Sequence, residues 1–301
     1  MRIISPIRLT DAVFYQNCLP LYVVSFGIAL KPHFLFSLTG LNTAKYVFEE
    51  GEMSVEQYGI IDFHTHILPG IDDGSPDVSA SIAMLQEMKK QGVAHCVATP
   101  HFYRYRRSVD TFASQREAAW QQLSSALTAD LPRVHLGAEV ALFSELSELS
   151  DEELSPLCIA GTRTMLLEMP FAQWRDFEVD AVARLSIDRE IQVVLAHLER
   201  YLPLQQKSTY LDRILSLPVW IQINAEALAG GLANLRQRRQ ILQLFERGQA
   251  HLLGSDCHNL SHRAPNLQQG REALQKHLGA AFLSQMDDLG ASLLSQEAIK
   301  L

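Results

Sequence analysis

Residues 59–67 read GIIDFHTHI, an apolar run that ends in two histidines. A short apolar run of this kind is typical of a buried parallel strand, because helices cover both faces of such a sheet. His64 and His66 stand two residues apart, and side chains at this spacing on a strand point to the same face. The stretch therefore predicts a strand that presents two imidazoles at its carboxyl end.

Strand-like and helix-like segments alternate from this point onward. The predicted strands are residues 59–67, 93–99, 133–142, 164–171, 192–197, 219–224 and 250–255. The predicted helices are residues 76–91, 108–127, 177–189, 208–215 and 232–247. Such alternation implies parallel strands joined by right-handed crossovers. Seven units favour a single α/β barrel domain, although the alternation alone leaves a doubly wound open sheet as an alternative.

The composition excludes several classes of protein. Of 301 residues, 26 are Lys or Arg and 34 are Asp or Glu, a net charge of −8 that argues against a nucleic-acid partner. The hydrophobic fraction of 47% is typical of a globular chain with a substantial core. The four cysteines include no Cys-x-x-Cys pair, so they indicate neither a zinc knot nor a disulfide framework. Reduced thiols in a cytoplasmic enzyme are the simplest interpretation.

The first 52 residues differ from the rest. Their apolar run, residues 19–30, has 12 residues, whereas a membrane-spanning helix needs about 20, so we expect no stable membrane insertion. Arginines ahead of the run resemble a signal peptide, but no clear cleavage site follows. Met53 precedes the first predicted strand. We therefore expect residues 1–52 to be an extension outside the functional protein and residues 53–301 to form the functional domain; a translated extension would be an interaction or membrane-surface segment.

Histidines and carboxylates recur at the other strand ends. In chain order they are Asp72 and Asp73 in the first loop, then His101, Glu139, Glu168, His197, Asp256 and His258. The carboxyl ends of barrel strands face the active site, and imidazole with carboxylate suits zinc, manganese or iron. A lone strand-end histidine is more often an ordinary polar group, and His95 and His135 are assigned to that class. The set as a whole predicts a metal centre.

Two arginines follow predicted ligands closely. Arg200 lies three residues after His197, and Arg263 lies five after His258. A guanidinium fork suits phosphate oxygens, and an ion pair at the surface is the alternative. The loop at 102–107 reads FYRYRR, which is either a solvated loop or a surface for an aromatic phosphoester or an acidic peptide.

These blocks resemble the PHP superfamily, and more narrowly the manganese-dependent protein-tyrosine phosphatases of the bacterial capsule and exopolysaccharide type (CpsB/CapC/YwqE-like). The resemblance runs from about residue 60 to the C-terminus, and residues 1–52 have no counterpart in it. The blocks that carry it are IDFHTHILPG at 61–70, DDG at 72–74, TPH at 99–101, GAE at 137–139, AHLERY at 196–201 and SDCHNL at 255–260, followed by Arg263.

The resemblance implies a distorted, TIM-like (β/α)7 barrel, the PHP fold, with two or three divalent ions. Manganese is the metal it implies, with zinc or iron as alternatives. The implied ligand sets are His64, His66, Glu139 and Asp256 for one metal, Glu139, Glu168 and His197 for a second, and Asp73, His101 and His258 for a third. Glu139 would thus be a bridging ligand, and Arg200 and Arg263 would contact phosphate.

The reaction implied by the resemblance is hydrolysis of phosphotyrosine. Water shared by two metals would lose a proton near neutral pH and attack phosphorus in line with the leaving phenolate. The implied substrate is a phosphotyrosine protein, a bacterial tyrosine kinase that controls capsule or exopolysaccharide synthesis. The implied compartment is the cytoplasm, and the oligomeric state is open.

Three other functions stay open on the sequence. The first is another PHP phosphoesterase, such as a histidinol-phosphate or nucleotide phosphatase. The second is a metal-dependent amidohydrolase, a fold that has eight strands and often a carboxylated lysine on the fourth. The third is an inactive metal-binding module, which should have lost ligands.

The spacing of Cys257 and Arg263 matches the Cys-x5-Arg loop of cysteine-based tyrosine phosphatases. That chemistry needs a thiolate of low pKa and a loop of backbone N–H groups around phosphate. The intervening residues include no glycine, and the adjacent Asp256 would raise the pKa of the thiol. We therefore interpret the spacing as coincidence and expect Cys257 to point away from the metals.

Overall fold

The computed structural model describes residues 59–206, 208–229 and 235–295. The expected extension at 1–52, with its apolar run and Cys18, lies outside these residues.

The described chain forms short parallel strands separated mainly by helices. The strands are β1 (Ile60–Thr65), β2 (Val93–Ala98), β3 (His101–Phe102), β4 (Arg133–Leu136), β5 (Glu139–Ala141), β6 (Thr164–Glu168), β7 (Gln192–Leu195), β8 (Trp220–Asn224) and β9 (Leu252–Gly254). They pair in the orders β1-β2-β4 and β3-β5-β6-β7-β8-β9, with every pairing parallel. The predicted α/β class with parallel strands is confirmed.

Helices alternate with these strands. They are α1 (Val78–Lys90), α2 (Val109–Ser124), α3 (Asp151–Leu154), α4 (Asp176–Ala183), α5 (Tyr210–Leu215), α6 (Glu226–Ala229), α7 (Leu235–Glu246), α8 (Leu267–Leu278) and α9 (Ala280–Leu294). The first two long helices begin at polar caps, since Asp77 accepts a hydrogen bond from the Ala80 amide and Ser108 accepts one from the Thr111 amide. No described helix combines the length and the apolar character that crossing a membrane requires.

Backbone hydrogen bonds join the two parts of the sheet and close it on itself. The Gly137 amide donates to the Ala98 carbonyl (2.8 Å), so the breaks after β2 and β4 occur side by side. At the other edge a single bridge joins Thr65 to Cys257. The His66 amide donates to the Cys257 carbonyl (2.9 Å), and the Asp256 amide donates to the His64 carbonyl (2.8 Å). The result is the distorted seven-unit barrel rather than the open sheet.

Several predicted boundaries were wrong in ways that matter for the site. The predicted strand 133–142 is two strands, β4 and β5, and His101 belongs to the short strand β3 rather than to the end of β2. The predicted strand 164–171 ends at Glu168, so Phe171 lies in a loop. Helices α8 and α9 were not predicted.

Helix α9 packs near the amino ends of the strands. Thr164, the first residue of β6, donates a hydrogen bond from its hydroxyl to the Leu293 carbonyl (3.0 Å). Ala291 and Leu293 share a buried apolar cluster with strand residues such as Ile61 and Leu166. Because Glu168 lies at the opposite end of β6, α9 closes the end of the barrel away from the predicted metal ligands.

Candidate metal centre

The structure brings all the predicted metal ligands into one cluster at the carboxyl ends of the strands. They form four overlapping groups, in each of which the potential ligand atoms lie within 4.8 Å of one another. The groups are His66–Asp73–His101–His258, His64–His66–Asp256, His64–Glu139–His197 and His101–Glu139–Glu168. Most members are buried, while Asp73 is 65% exposed and lies on the open side. The division into three ligand sets stays a prediction, because His66 and His101 are close to more than one set.

Glu139 lies among four histidines. Its Oε1 is 2.8 Å from His197 Nε2, and its Oε2 is 2.7 Å from His101 Nδ1, 3.3 Å from His66 Nε2 and 3.4 Å from His64 Nε2. None of the Oε2 contacts has hydrogen-bond geometry, although this oxygen is buried. A carboxylate oxygen surrounded by imidazole nitrogens is satisfied by a shared cation better than by any one proton.

The pKa values of the cluster depend on the same crowding. Burial alone would lower the pKa of His66, but the hydrogen bond to Asp72 and the contact with Glu139 outweigh burial and raise this pKa to about 10. Burial, followed by the charge of Glu139, raises the pKa of Glu168 to about 7. His66 and, near neutral pH, part of Glu168 thus retain protons when the cluster holds no other cation, whereas burial lowers the pKa values of His197 and His258. Since metal ligands bind in their deprotonated forms, a divalent ion would replace these protons.

Residues outside the predicted set orient the imidazoles. His66 Nδ1 lies 2.7 Å from Asp72 Oδ2, and His64 Nδ1 lies 3.3 Å from the side-chain oxygen of Gln222. When Nδ1 carries the proton for these acceptors, the Nε2 lone pairs of the two histidines, 3.1 Å apart, face the interior of the cluster. This arrangement of donors fits a bound metal ion.

Strand β8 supplies an amide pair that fixes other ligands. Gln222 accepts a hydrogen bond from the His197 amide (2.9 Å) and donates to Asn224 Oδ1 (2.9 Å). Asn224 in turn donates to Asp256 Oδ2 (2.9 Å). Neither amide could be predicted from the sequence, because a glutamine and an asparagine inside a strand carry no spacing signal of their own.

Two of the predicted ligands have left-handed backbone conformations. His197 has φ 35° and Asp256 has φ 53°, a region that favours glycine. Each follows the end of a strand, and the turn directs its side chain into the cluster. Strain of about 1–3 kcal/mol per residue is typical of such positions at functional sites.

Both predicted phosphate-binding arginines lie at the cluster. Arg200 approaches Asp256 Oδ2 at 3.0 Å, and Arg263 approaches Asp256 Oδ1 at 2.5 Å. Arg263 also lies 2.8 Å from His258 Nε2. Both side chains are partly exposed, at 39% and 32%, so an incoming anion can reach their guanidinium groups.

Cys257 does not face the cluster as a nucleophile. Its side chain is fully buried, and burial, with a further contribution from the charge of Asp62, raises the pKa of its thiol far above the usual value. Cys257, Cys96 and Cys158 are all free thiols. The structure therefore offers no reactive thiolate for a Cys-x5-Arg mechanism at this position.

A cleft of about 250 Å³ opens beside the cluster. Its lining includes Asp73 and His101 as well as Tyr103, Arg106 and Arg107 from the basic loop. The Arg106 guanidinium stacks over the Tyr103 ring at 4.8 Å, whereas Arg107 is bonded to Gln115 and to backbone carbonyls. The histidines assigned to ordinary roles, His95 and His135, contact each other on β2 and β4 at 2.9 Å, outside the four groups.

The chain is similar in sequence to known proteins. A family model described as "Capsular polysaccharide synthesis, CpsB/CapC" matches residues 60–289. The chain is 29% identical over 244 residues to the tyrosine-protein phosphatase YwqE of Bacillus subtilis (strain 168), covering 80% of this chain and 93% of that protein. It is 27% identical over 233 residues to the tyrosine-protein phosphatase CpsB of Streptococcus pneumoniae, covering 73% and 92%.

A solved structure shares the fold. It is described as YwqE from Bacillus subtilis and CpsB from Streptococcus pneumoniae, "unique metal-dependent tyrosine phosphatases". The TM-score is 0.66 at 24% sequence identity, and the match covers 80% of this chain and 96% of that chain.

Proposed function

The chain belongs to the CpsB/CapC family of capsular polysaccharide synthesis, and we infer that it is a metal-dependent protein-tyrosine phosphatase. The observation that carries the inference is the cluster around Glu139, in which four histidines face one buried carboxylate. Divalent ions held there would supply Lewis acidity, lower the pKa of water and neutralise phosphate charge. The enzyme is therefore a phosphoric monoester hydrolase.

The residues of the chain divide the remaining work. Arg200 and Arg263 lie beside Asp256 and can exchange this carboxylate for the oxygens of an incoming phosphate. Asp72 and Gln222 hold His66 and His64 in the tautomer that presents Nε2 to the cluster. Because burial raises the pKa of the Cys257 thiol, water is the nucleophile that we propose, and no phospho-enzyme is needed.

The metal and the ligand sets are part of the proposal. Two or three manganese ions per chain would be held by the three sets named from the resemblance, with Glu139 shared between two of them. A donor set of imidazoles and carboxylates without thiolate supports manganese, and the same donors also suit zinc or iron. Metal analysis of the purified protein, followed by reconstitution with each ion, tests this choice.

The substrate and the compartment complete the proposal. The substrate is a phosphotyrosine protein, a bacterial tyrosine kinase that controls capsule or exopolysaccharide synthesis, and the reaction takes place in the cytoplasm. The relatives' names support the substrate class. The free thiols of the described cysteines support a reducing compartment.

The test is an assay of phosphotyrosyl peptides against histidinol phosphate, nucleotides and amide substrates. We expect turnover of phosphotyrosine that a strong chelator abolishes and added metal restores. The variant Cys257→Ser should retain most of the activity. Chelator-resistant activity that is lost in Cys257→Ser would overturn the metal mechanism, and a preference for histidinol phosphate or nucleotides would replace the substrate class.

A further inference from the structure

Phe171 is an apolar side chain exposed at the edge of the metal-ligand cluster. It lies in the loop between β6 and α4, three residues after Glu168, and it is 54% exposed. Its ring stacks on His197, with centroids 5.8 Å apart and planes 23° apart, and packs against Tyr201 at 5.0 Å. One face of the cluster is thus bordered by an aromatic ring with open surface.

The loop that carries Phe171 is fixed by buried neighbours. Gln205, only 3% exposed, accepts a hydrogen bond from the Trp174 amide (3.1 Å) and donates to the Ala172 carbonyl (2.8 Å). The fully buried Trp174 donates from its ring to the Pro170 carbonyl (3.2 Å). The position of the ring is therefore determined before a substrate arrives, which lowers the entropy cost of a contact.

A single exposed apolar side chain is ordinary in proteins, so the exposure of Phe171 carries no argument by itself. Phe177 is also exposed, at 40%, but unlike Phe171 it takes part in none of the ring contacts found in the described part of the chain. Tyr103 borders the cluster elsewhere, but His101 stacks on its ring at 5.2 Å and Arg106 covers it at 4.8 Å. Of the aromatic rings that contact a predicted ligand in the described part of the chain, Phe171 is the most exposed.

We propose that Phe171 binds the phenyl ring of the substrate and thereby selects aryl over alkyl phosphomonoesters. This inference rests on the proposed phosphatase function. A phosphate held at the cluster has its ester group one oxygen away from the phosphorus, so the phenyl group of an aryl ester would reach the border of the cluster. Aromatic pairs are favourable at centroid distances of about 4.5–7 Å, and Phe171 offers the ring for such a pair. An alkyl ester, such as that of phosphoserine, places no ring there.

The test compares binding of benzylphosphonate and methylphosphonate to the metal-loaded protein by calorimetry. These two compounds are not hydrolysed, and they differ only in the ring. In Phe171→Ala we expect the affinity for benzylphosphonate to fall roughly three- to tenfold, the size of one aromatic contact, with methylphosphonate binding and metal content unchanged. Phe171→Tyr should restore the ring preference, and Phe177→Ala serves as the matched control of similar exposure.

A parallel kinetic measurement uses a phosphotyrosyl peptide, whose KM should rise in Phe171→Ala by a similar factor. The inference would be overturned if Phe171→Ala weakened the binding of both phosphonates equally, changed the binding of neither, or lost metal. Loss of metal would mean that Phe171 only shields His197. A wild-type protein that prefers benzylphosphonate but hydrolyses no phosphotyrosine would refute the proposed function and leave the aryl-binding site standing. A phosphotyrosine hydrolase unaffected by Phe171→Ala would refute the aryl-binding site alone.

Discussion

The two oxygens of Glu139 face different histidines, His197 on one side and His64, His66 and His101 on the other. This arrangement would suit a carboxylate shared by two cations, because its two oxygens face different imidazoles. The side chain is 1% exposed, so solvent provides little substitute for these interactions. At the scale of single residues, the charge on Glu139 is the property on which the proposed activity depends.

Replacement of Glu139 by glutamine keeps the shape of the side chain and removes this charge. We expect kcat of Glu139→Gln to fall by at least about 100-fold, as for other losses of electrostatic stabilisation in a water-poor site. Metal content should fall as well, while the far-UV circular dichroism stays unchanged. Near-normal turnover with full metal content would show that Glu139 is not a bridging ligand.

The arginines are tested by a change that preserves charge. Arg200→Lys and Arg263→Lys lose the planar fork, and kcat/KM should fall about 10- to 100-fold for each, the range for hydrogen bonds to charged groups. Arg133, exposed at the start of β4, provides the control Arg133→Lys at the opposite end of the strands. Because both site arginines touch Asp256, metal affinity is measured alongside, and unchanged kinetics in both variants would identify them as ordinary ion-pair residues.

At the scale of strands and loops, the sequence predicted the positions of the site residues but not what supports them. His64, Glu168 and His258 could be placed near one another because parallel strands align their carboxyl ends at one edge. No sequence pattern marks the breaks that separate β2 from β3 and β4 from β5. A loop residue such as Phe171 continues an apolar run just as a strand residue would. Tertiary contacts determine these features, so local pattern does not reveal them.

The pairing of β8 with β9 is supported by a histidine whose pKa is lowered. His251, directly before β9, accepts a hydrogen bond from the Ile221 amide at its Nδ1 (3.0 Å), and burial lowers the pKa of His251 to about 4. An unfolded histidine titrates near pH 6.5. Between about pH 6.5 and 4 the unfolded chain therefore binds more protons at this residue, so its contribution to stability is complete above this window and is lost as pH falls through it.

The variant His251→Asn keeps an acceptor for the Ile221 amide and cannot take up the proton. Urea unfolding of both proteins from pH 7 to pH 4 should show a steeper loss in the wild type, by on the order of 3 kcal/mol at the acid end. Carboxylates titrate alike in both proteins, so only the difference between the two curves counts. Parallel curves would mean that His251 does not contribute to the acid sensitivity.

At the scale of the whole molecule, the two ends of the barrel have different roles. The carboxyl ends of the strands carry every predicted ligand and both arginines, while α9 closes the amino ends through Leu293 and its neighbours. The basic loop at 102–107 lies on the same side as the cluster, in a chain of net charge −8. A negatively charged substrate therefore meets a favourable local charge beside the cluster, where the chemistry is proposed to occur.

A chain that starts at Met53 tests the expected extent of the functional domain. Every ligand and every described strand lies after this residue, so the shortened protein should fold and retain full kcat, KM and metal content. Thermal unfolding and phosphotyrosyl-peptide turnover of the two chains provide the comparison. Aggregation or lost activity of the shorter chain would make residues 1–52 part of the functional domain.

The bridge between Thr65 and Cys257 has a consequence for the way the barrel opens. This seam brings together the first and last strands, with His64 and His66 on one side and Asp256 on the other. An ion bound by both sides would act as a clasp, because the strands could not part without losing it. At a free metal concentration 100 times the dissociation constant, binding would oppose such an opening by about 2.7 kcal/mol.

Hydrogen exchange at the seam measures this clasp directly. The amides of His66 and Asp256, which donate across the seam, should exchange about 100-fold more slowly once metal is added. Amides in the first and last turns of α2 provide the control, since local opening at a helix end leaves the ions in place. Unchanged exchange at the seam would mean that the strands part without disturbing the ions. Slower exchange at the seam would mean that the metal ions of the proposed active site also keep the barrel closed. Removal of the metal would then destabilise the fold as well as stop turnover.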